Sequence, residues 1–177
     1  EDKALPFWII RTGTRKYAIS KFSSSVVAGF LSVTSSMVIF SLIMSIFFPL
    51  FDGKINSGSS YATLLEENQP WIYILVLTAH YSLSGALFAG TALTISTFVP
   101  NKFSTMASPI VIYFVLMRLT TQASLPNFLE PSFLVEGIYS DVSPAAAFLH
   151  KLIPVVGILG MLLYVTIKQI KKRIGRS

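Results

Sequence analysis

The chain has 177 residues, of which 53% are hydrophobic and 12% charged, with a mean hydropathy of +0.65 and a formal net charge of +6. A water-soluble domain of this size would struggle to stay dispersed with so apolar a composition, so the balance points to a bilayer. The absence of cysteine excludes disulfides, thiolate metal sites and thiol nucleophiles together.

Four apolar stretches, 26–51, 71–99, about 103–125 and 148–167, are each long enough to cross a hydrocarbon core of roughly 30 Å as a helix, which takes about 20 residues. The expected fold is therefore all-α. It is a polytopic integral membrane protein with one transmembrane domain over 1–177, a cytosolic amphipathic segment over 1–24 and a basic tail over 168–177.

In chain order, the opening segment places Phe7, Trp8, Ile9 and Ile10 after Pro6, then a basic, turn-prone run from Arg11 to Lys16 through Gly13. It is too short to cross. Its aromatic and aliphatic groups suit the headgroup layer, and its cations suit phosphates or a protein partner, or simply orient the first span. The first span, about 39 Å long if helical throughout, must tilt or project. It carries Ser32, Thr34, Ser35, Ser36, Ser41 and Ser45. Such hydroxyls bond to their own backbone or a neighbouring helix, or else line a polar path for cargo.

The loop 52–70 ends at Trp71, a residue suited to the aromatic belt. The second span sets Ser82, Ala86, Gly90 and Thr94 at four-residue spacing, with Gly85 and Ala89 alongside, a face small enough for another helix to approach closely. Pro100 and Asn101 end it, and Lys102 turns the chain at once into the third span, near whose start Pro109 is expected to bend the helix. The loop 124–147 alternates Pro, acidic and bulky apolar residues and is expected to form short extracellular helices on the outer leaflet. The last span contains Gly157 and Gly160 and runs into a Lys/Arg tail.

Cations gather in 1–21, at Lys102 and in the tail, whereas Asp52, Glu66, Glu67, Glu130, Glu136 and Asp141 fall in the other loops. The positive-inside rule then puts both ends of this chain in the cytosol, in a multi-pass protein of the plasma membrane. Anionic headgroups account for the net positive charge without nucleic acid.

No Gly-x-x-x-x-Gly-Lys-[Ser/Thr] loop is present, so nucleotide hydrolysis is not encoded here. His80 and His150 lie on different helices without zinc-ligand spacing, and no metal site is expected. Ser82 or Ser84 near His80 is the one grouping that could make a serine hydrolase, and it lacks a nucleophile elbow. His80 lies about 13 Å inward from Trp71, where a histidine either bonds to a neighbouring helix or meets cargo or a proton. Arg118 is the strong cation inside a span; it either snorkels outward or pairs with Glu130 or Glu136 as an outer gate. His150 and Lys151 read as markers of the headgroup boundary.

A basic cytosolic segment entering a long span, a two-span hairpin, a loop rich in Pro and acidic residues, and a final span with a Lys/Arg tail together resemble the C-terminal part of a type-2, exporter-class ABC transporter permease. The stretch RTGTRKYAISKF, 11–22, is similar to the sequence that follows the family's coupling helix, and PNFLEPSFLVEGIYSDVSP to its extracellular helices. The resemblance covers nearly the whole chain and implies two further spans and an interfacial helix ahead of Glu1, so that this chain is a piece of something longer. It implies a homodimer or heterodimer of permeases and a cytosolic ATPase subunit that holds ATP and Mg, with no cofactor in this chain and no enzyme activity of its own. The residues it singles out are Arg11, Arg15, Lys16 and Lys21 for ATPase contact, Ser36, Ser41, His80 and Ser84 for the substrate path, and Arg118, Glu130 and Glu136 for the outer gate. A non-transporting membrane assembly or immunity-type protein is the alternative.

Overall fold

The computed structural model describes residues 13–48, 61–99, 101–121, 134–135 and 143–174. Among them the chain is all-helical, with helices α1 (Thr14–Phe47), α2 (Ala62–Glu66), α3 (Pro70–Ser96), α4 (Lys102–Thr121) and α5 (Pro144–Ile174). All but α2 are long and apolar enough to cross a membrane.

Each boundary has a local cause. Gly13, at φ 77°, takes a left-handed conformation that turns the chain into α1, and its carbonyl accepts the first helical bond from the Tyr17 amide. Pro70 opens α3 at its first turn, where a missing N–H costs nothing. The Asn101 side chain accepts from the amide of Phe103 at the start of α4. Inside α4, Pro109 removes the donor that would meet the Thr105 carbonyl; the Ser108 hydroxyl supplies one instead at 3.0 Å. A second proline, Pro154, lies within α5.

The helices are longer than the apolar stretches alone suggest at the basic end. α1 is continuous from Thr14, so the last part of the segment expected to lie outside the bilayer forms the first turns of the spanning helix itself. α5 likewise begins at Pro144 and continues through Lys168, Lys171, Lys172 and Arg173.

α3 is the hub, against which α1, α2, α4 and α5 all pack, and α1 also packs on α5. α1 and α3 run antiparallel, matching Ser25 with Ala89, Gly29 with Gly85 and Thr34 with Ser82. α3 and α5 run parallel, matching Tyr81 with Lys151, Thr94 with Thr166 and Phe98 with Arg173. The start of α1 and the ends of α3 and α5 therefore share one end of the bundle, where the cations Arg15, Lys16, Lys21, Lys102 and those of α5's last turns collect.

The α1–α3 seam is as close as helices can come. A β-carbon on Gly29 would stand 2.5 Å from that of Ala89, and one on Gly85 would stand 2.5 Å from a Val33 methyl. Of the small residues expected to form a packing face on the second span, Gly85 and Ala89 with Ser82 make this seam, bringing backbones together where lipid offers no hydrophobic driving force between helices, while Gly90 and Thr94 also meet Leu159 and Thr166 of α5.

Candidate functional site

A cluster of buried polar side chains, Tyr61, His80, Ser84 and Lys151, lies where α3, α5, the loop ahead of α3 and the segment at 134–135 meet, toward the end opposite the basic one. His80 is fully buried, and its Nδ1 lies 3.0 Å from the hydroxyl of Tyr61, which is also fully buried. Burial pushes the Tyr61 phenol up to about 12, so it stays protonated. The His80 ring meets Tyr61 and Tyr81 edge-on.

One turn further along α3, the Ser84 hydroxyl donates to the carbonyl of Val135 at 2.8 Å, and the same oxygen accepts from the Lys151 amine at 3.0 Å. Lys151 is only 1% exposed, and its amine also sits 5.6 Å from the centre of the Tyr81 ring. Among the described residues, what meets this amine is a carbonyl oxygen and an aromatic face. Val135 is thus held by two donors from two helices. Among the described residues no buried side-chain nitrogen or oxygen is left without a partner, and no three His, Asp or Glu side chains converge.

Two further polar joints fix the bundle. Thr34 and Ser82 face each other at 2.8 Å across the α1–α3 seam, while each can also donate to its own helix, at Phe30 and Thr78. Two protons serve three contacts, so the pair can shift between arrangements without breaking the seam. Thr94 and Thr166 face each other between α3 and α5 at 3.1 Å, where Thr94 can also donate to the Gly90 carbonyl of its own helix.

The residues singled out from the sequence separate into several places. His80 and Ser84 belong to one buried cluster, but the Ser84 proton goes to the Val135 carbonyl and is not directed at the imidazole. Ser36 is on the exposed face of α1, its hydroxyl bonded to the Ser32 carbonyl. Ser41 lines a groove of about 500 Å³ between α1 and α3, beside Phe30, Trp71 and Thr78. Arg15, Lys16 and Lys21 are exposed on the first two turns of α1, with the Lys21 amine over the Tyr17 ring. Arg118 is exposed on α4. Arg11, Glu130 and Glu136 lie outside the described residues, as do the short helices expected in 124–147, apart from Leu134 and Val135, which are helical.

Lys151 is what sequence reasoning missed. It reads as a boundary cation because the apolar stretch opens beside it, yet α5 starts two turns earlier and places its amine inside the bundle. Comparison with protein-family models, with curated proteins and with solved structures finds no match.

Proposed function

We propose that the chain is the membrane permease part of an ATP-driven, exporter-class transporter, which moves its substrate out of the cell by alternating access. The observation that supports this reading is α1. It is one uninterrupted helix of 34 residues, about 51 Å long, well beyond a hydrocarbon core of roughly 30 Å. Its first turns present Arg15, Lys16 and Lys21 at the basic end, and its middle is locked to α3 through Gly29 and Gly85. A push on the cationic end by a cytosolic ATPase subunit would therefore be carried into the bundle by a rigid element instead of being absorbed by a loop.

In this reading the basic end is cytosolic, Arg11 joins Arg15, Lys16 and Lys21 in ATPase contact, and ATP and Mg belong to that partner. Two permease copies form the transporter in the plasma membrane. Ser36 and Ser41 would border the substrate path on α1, with His80 and Ser84 inside the bundle, and Arg118 would pair with Glu130 or Glu136 as the outer gate.

The test is purification from native membranes under mild detergent. A co-purifying ATPase, whose retention and turnover fall in Arg15→Glu and Lys16→Glu proteins of unchanged helix content, is the expected result. Recovery of the intact chain with no ATPase, or turnover indifferent to both substitutions, overturns the reading.

A further inference from the structure

A buried amine is costly inside a bundle, and Lys151 has only neutral groups around it among the described residues. It is 1% exposed, although a lysine this near a helix start ordinarily runs its stem outward and keeps its amine wet. Its described partners are the Val135 carbonyl at 3.0 Å and the Tyr81 ring at 5.6 Å, neither of which carries a full negative charge. A cation taken out of water needs an anion beside it, and an ionisable group within a span therefore marks a functional place by default.

The described packing does not call for an amine here. The Val135 carbonyl already accepts from the Ser84 hydroxyl at 2.8 Å, and hydroxyls alone make the other buried joints, Thr34 with Ser82 and Thr94 with Thr166. Arg173 also donates to a carbonyl, that of Phe98 at 3.2 Å, but it does so exposed at the end of the bundle, where water shares its charge. What Lys151 adds to the buried cluster beyond a second donor is the capacity to be positive.

A hydroxyl and an amine that converge from two helices on one oxygen are the donor set of a carboxylate or phosphate oxygen. Such an oxygen carries a formal charge where the carbonyl carries a partial one, and hydrogen bonds to charged groups are about twice as strong as those between neutral ones. The same two donors therefore hold an acid more firmly than they hold Val135.

We infer that Ser84 and Lys151 form a binding site for an acidic group, a carboxylate or a phosphate, whose place the Val135 carbonyl takes in this structure and yields when the ligand enters. The acid's oxygen accepts from the Ser84 hydroxyl and from the Lys151 amine. The amine holds a proton, its own or the acid's, so that the two charges cancel inside the bundle, and the Tyr81 ring flanks the pair. The inference rests on the permease reading only in calling this acid the cargo; binding itself requires no ATPase.

The test is thermal unfolding of the full chain in dodecyl maltoside, with inorganic phosphate as the soluble probe, dioctanoyl phosphatidic acid as the lipid probe, and dioctanoylglycerol, the same chains without the phosphate, as control. A saturable rise in midpoint, roughly 5–10 °C at a hundred times the half-saturating concentration, is expected with at least one of the two phosphates. It is kept in Lys151→Arg, lost in Lys151→Met and weakened in Ser84→Ala, so a folding failure of one variant leaves another to decide. A response to inorganic phosphate assigns the site to a free acid; one confined to phosphatidic acid assigns it to a lipid headgroup. No rise, an equal rise with dioctanoylglycerol, or a rise that survives in Lys151→Met and so belongs to the exposed cations of the basic end, overturns the proposal. Val135→Cys supplies a second readout, since it keeps the carbonyl and places a single thiol in a chain that has none. Its rate of maleimide labelling should change severalfold when the responding phosphate saturates, and an unchanged rate would show that Val135 does not yield its place. Neither readout involves an ATPase, so this inference and the permease reading fail separately.

Discussion

The carbonyl oxygens of Gly29 and Gly85 each occupy the place where the other residue's β-carbon would be, at 2.6 and 2.7 Å. This reciprocal exclusion sets the α1–α3 separation, and both obstacles are backbone atoms that no rotamer can move. Gly85→Ala is therefore expected to destabilise the bundle by about 1–3 kcal/mol, the usual cost of overpacking, despite the gain in helix propensity. Gly90 is the control. There the closest atom is the end of the Leu159 side chain at 2.8 Å, which can swing aside, so Gly90→Ala should change stability by less than about 1 kcal/mol. Thermal unfolding in one detergent, read by circular dichroism, separates the two; equal losses would mean that the backbone contact is not what sets the seam.

The shared carbonyl of Val135 predicts a specific non-additivity. Removing Ser84 or Lys151 alone, as Ser84→Ala or Lys151→Met, leaves one donor on that oxygen. Each should cost about 0.6 kcal/mol, the average for hydrogen bonds inside membrane bundles. The double variant removes both donors that the described residues place on this carbonyl and should lose about 2–3 kcal/mol, more than the sum of the singles. A double-mutant cycle on unfolding midpoints measures the difference, and strict additivity would show that the two donors do not hold the same atom.

The positions of the spans were legible because bilayer thickness imposes a length that a run of apolar residues either meets or does not, and because Pro70, Pro100 and Asn101 punctuate the chain. Gly85 and Ala89 were legible as a packing face for a similar reason: small side chains at helical spacing have few other uses in lipid. Their partner was not. Ser25, Gly29 and Ser32 all offer small side chains on α1, and only the crossing of the helices selects Gly29. Lys151 was hidden by its position, since a cation beside an apolar run reads as an anchor until the helix start at Pro144 is known. Pro154, read alone, is a helix breaker, yet α5 continues through it, as spanning helices allow where neighbours re-satisfy the freed backbone group.

Tyr61 ties the loop ahead of α3 to His80, and its raised pKa gives this joint a pH signature. The folded chain holds the phenolic proton up to about 12, against 10.0 for a free tyrosine. Below pH 10 both states are protonated and the contribution is complete; as pH rises from 10 toward 12 the unfolded chain loses its proton first, and stability falls. Tyr61→Phe should abolish this alkaline slope while costing about 0.5–1.5 kcal/mol at neutral pH for the lost hydrogen bond. Unfolding followed between pH 9 and 12 would reveal it, and an identical slope in the Phe variant would assign the titration to another group.

Gly13 predicts how firmly the cationic start of α1 is aimed. At φ 77° it occupies a region that costs a residue with a side chain roughly 1 kcal/mol or more, and its β-carbon would meet nothing within 4 Å, so any penalty is conformational and not steric contact. Gly13→Ala is therefore expected to leave the bundle's unfolding midpoint almost unchanged, because the strain can be relieved by rotating the chain that precedes α1. What changes is the direction from which that preceding chain approaches Arg15 and Lys16. If the transporter reading holds, ATPase retention should fall in both Gly13→Ala and Gly13→Asn although no cation has been removed, because at ψ 143° the residue lies outside the left-handed helical region that asparagine tolerates. Charge alone would predict no effect of either substitution. Equal retention by all three proteins would mean that the approach of the chain ahead of α1, with Arg11, does not contribute to ATPase contact.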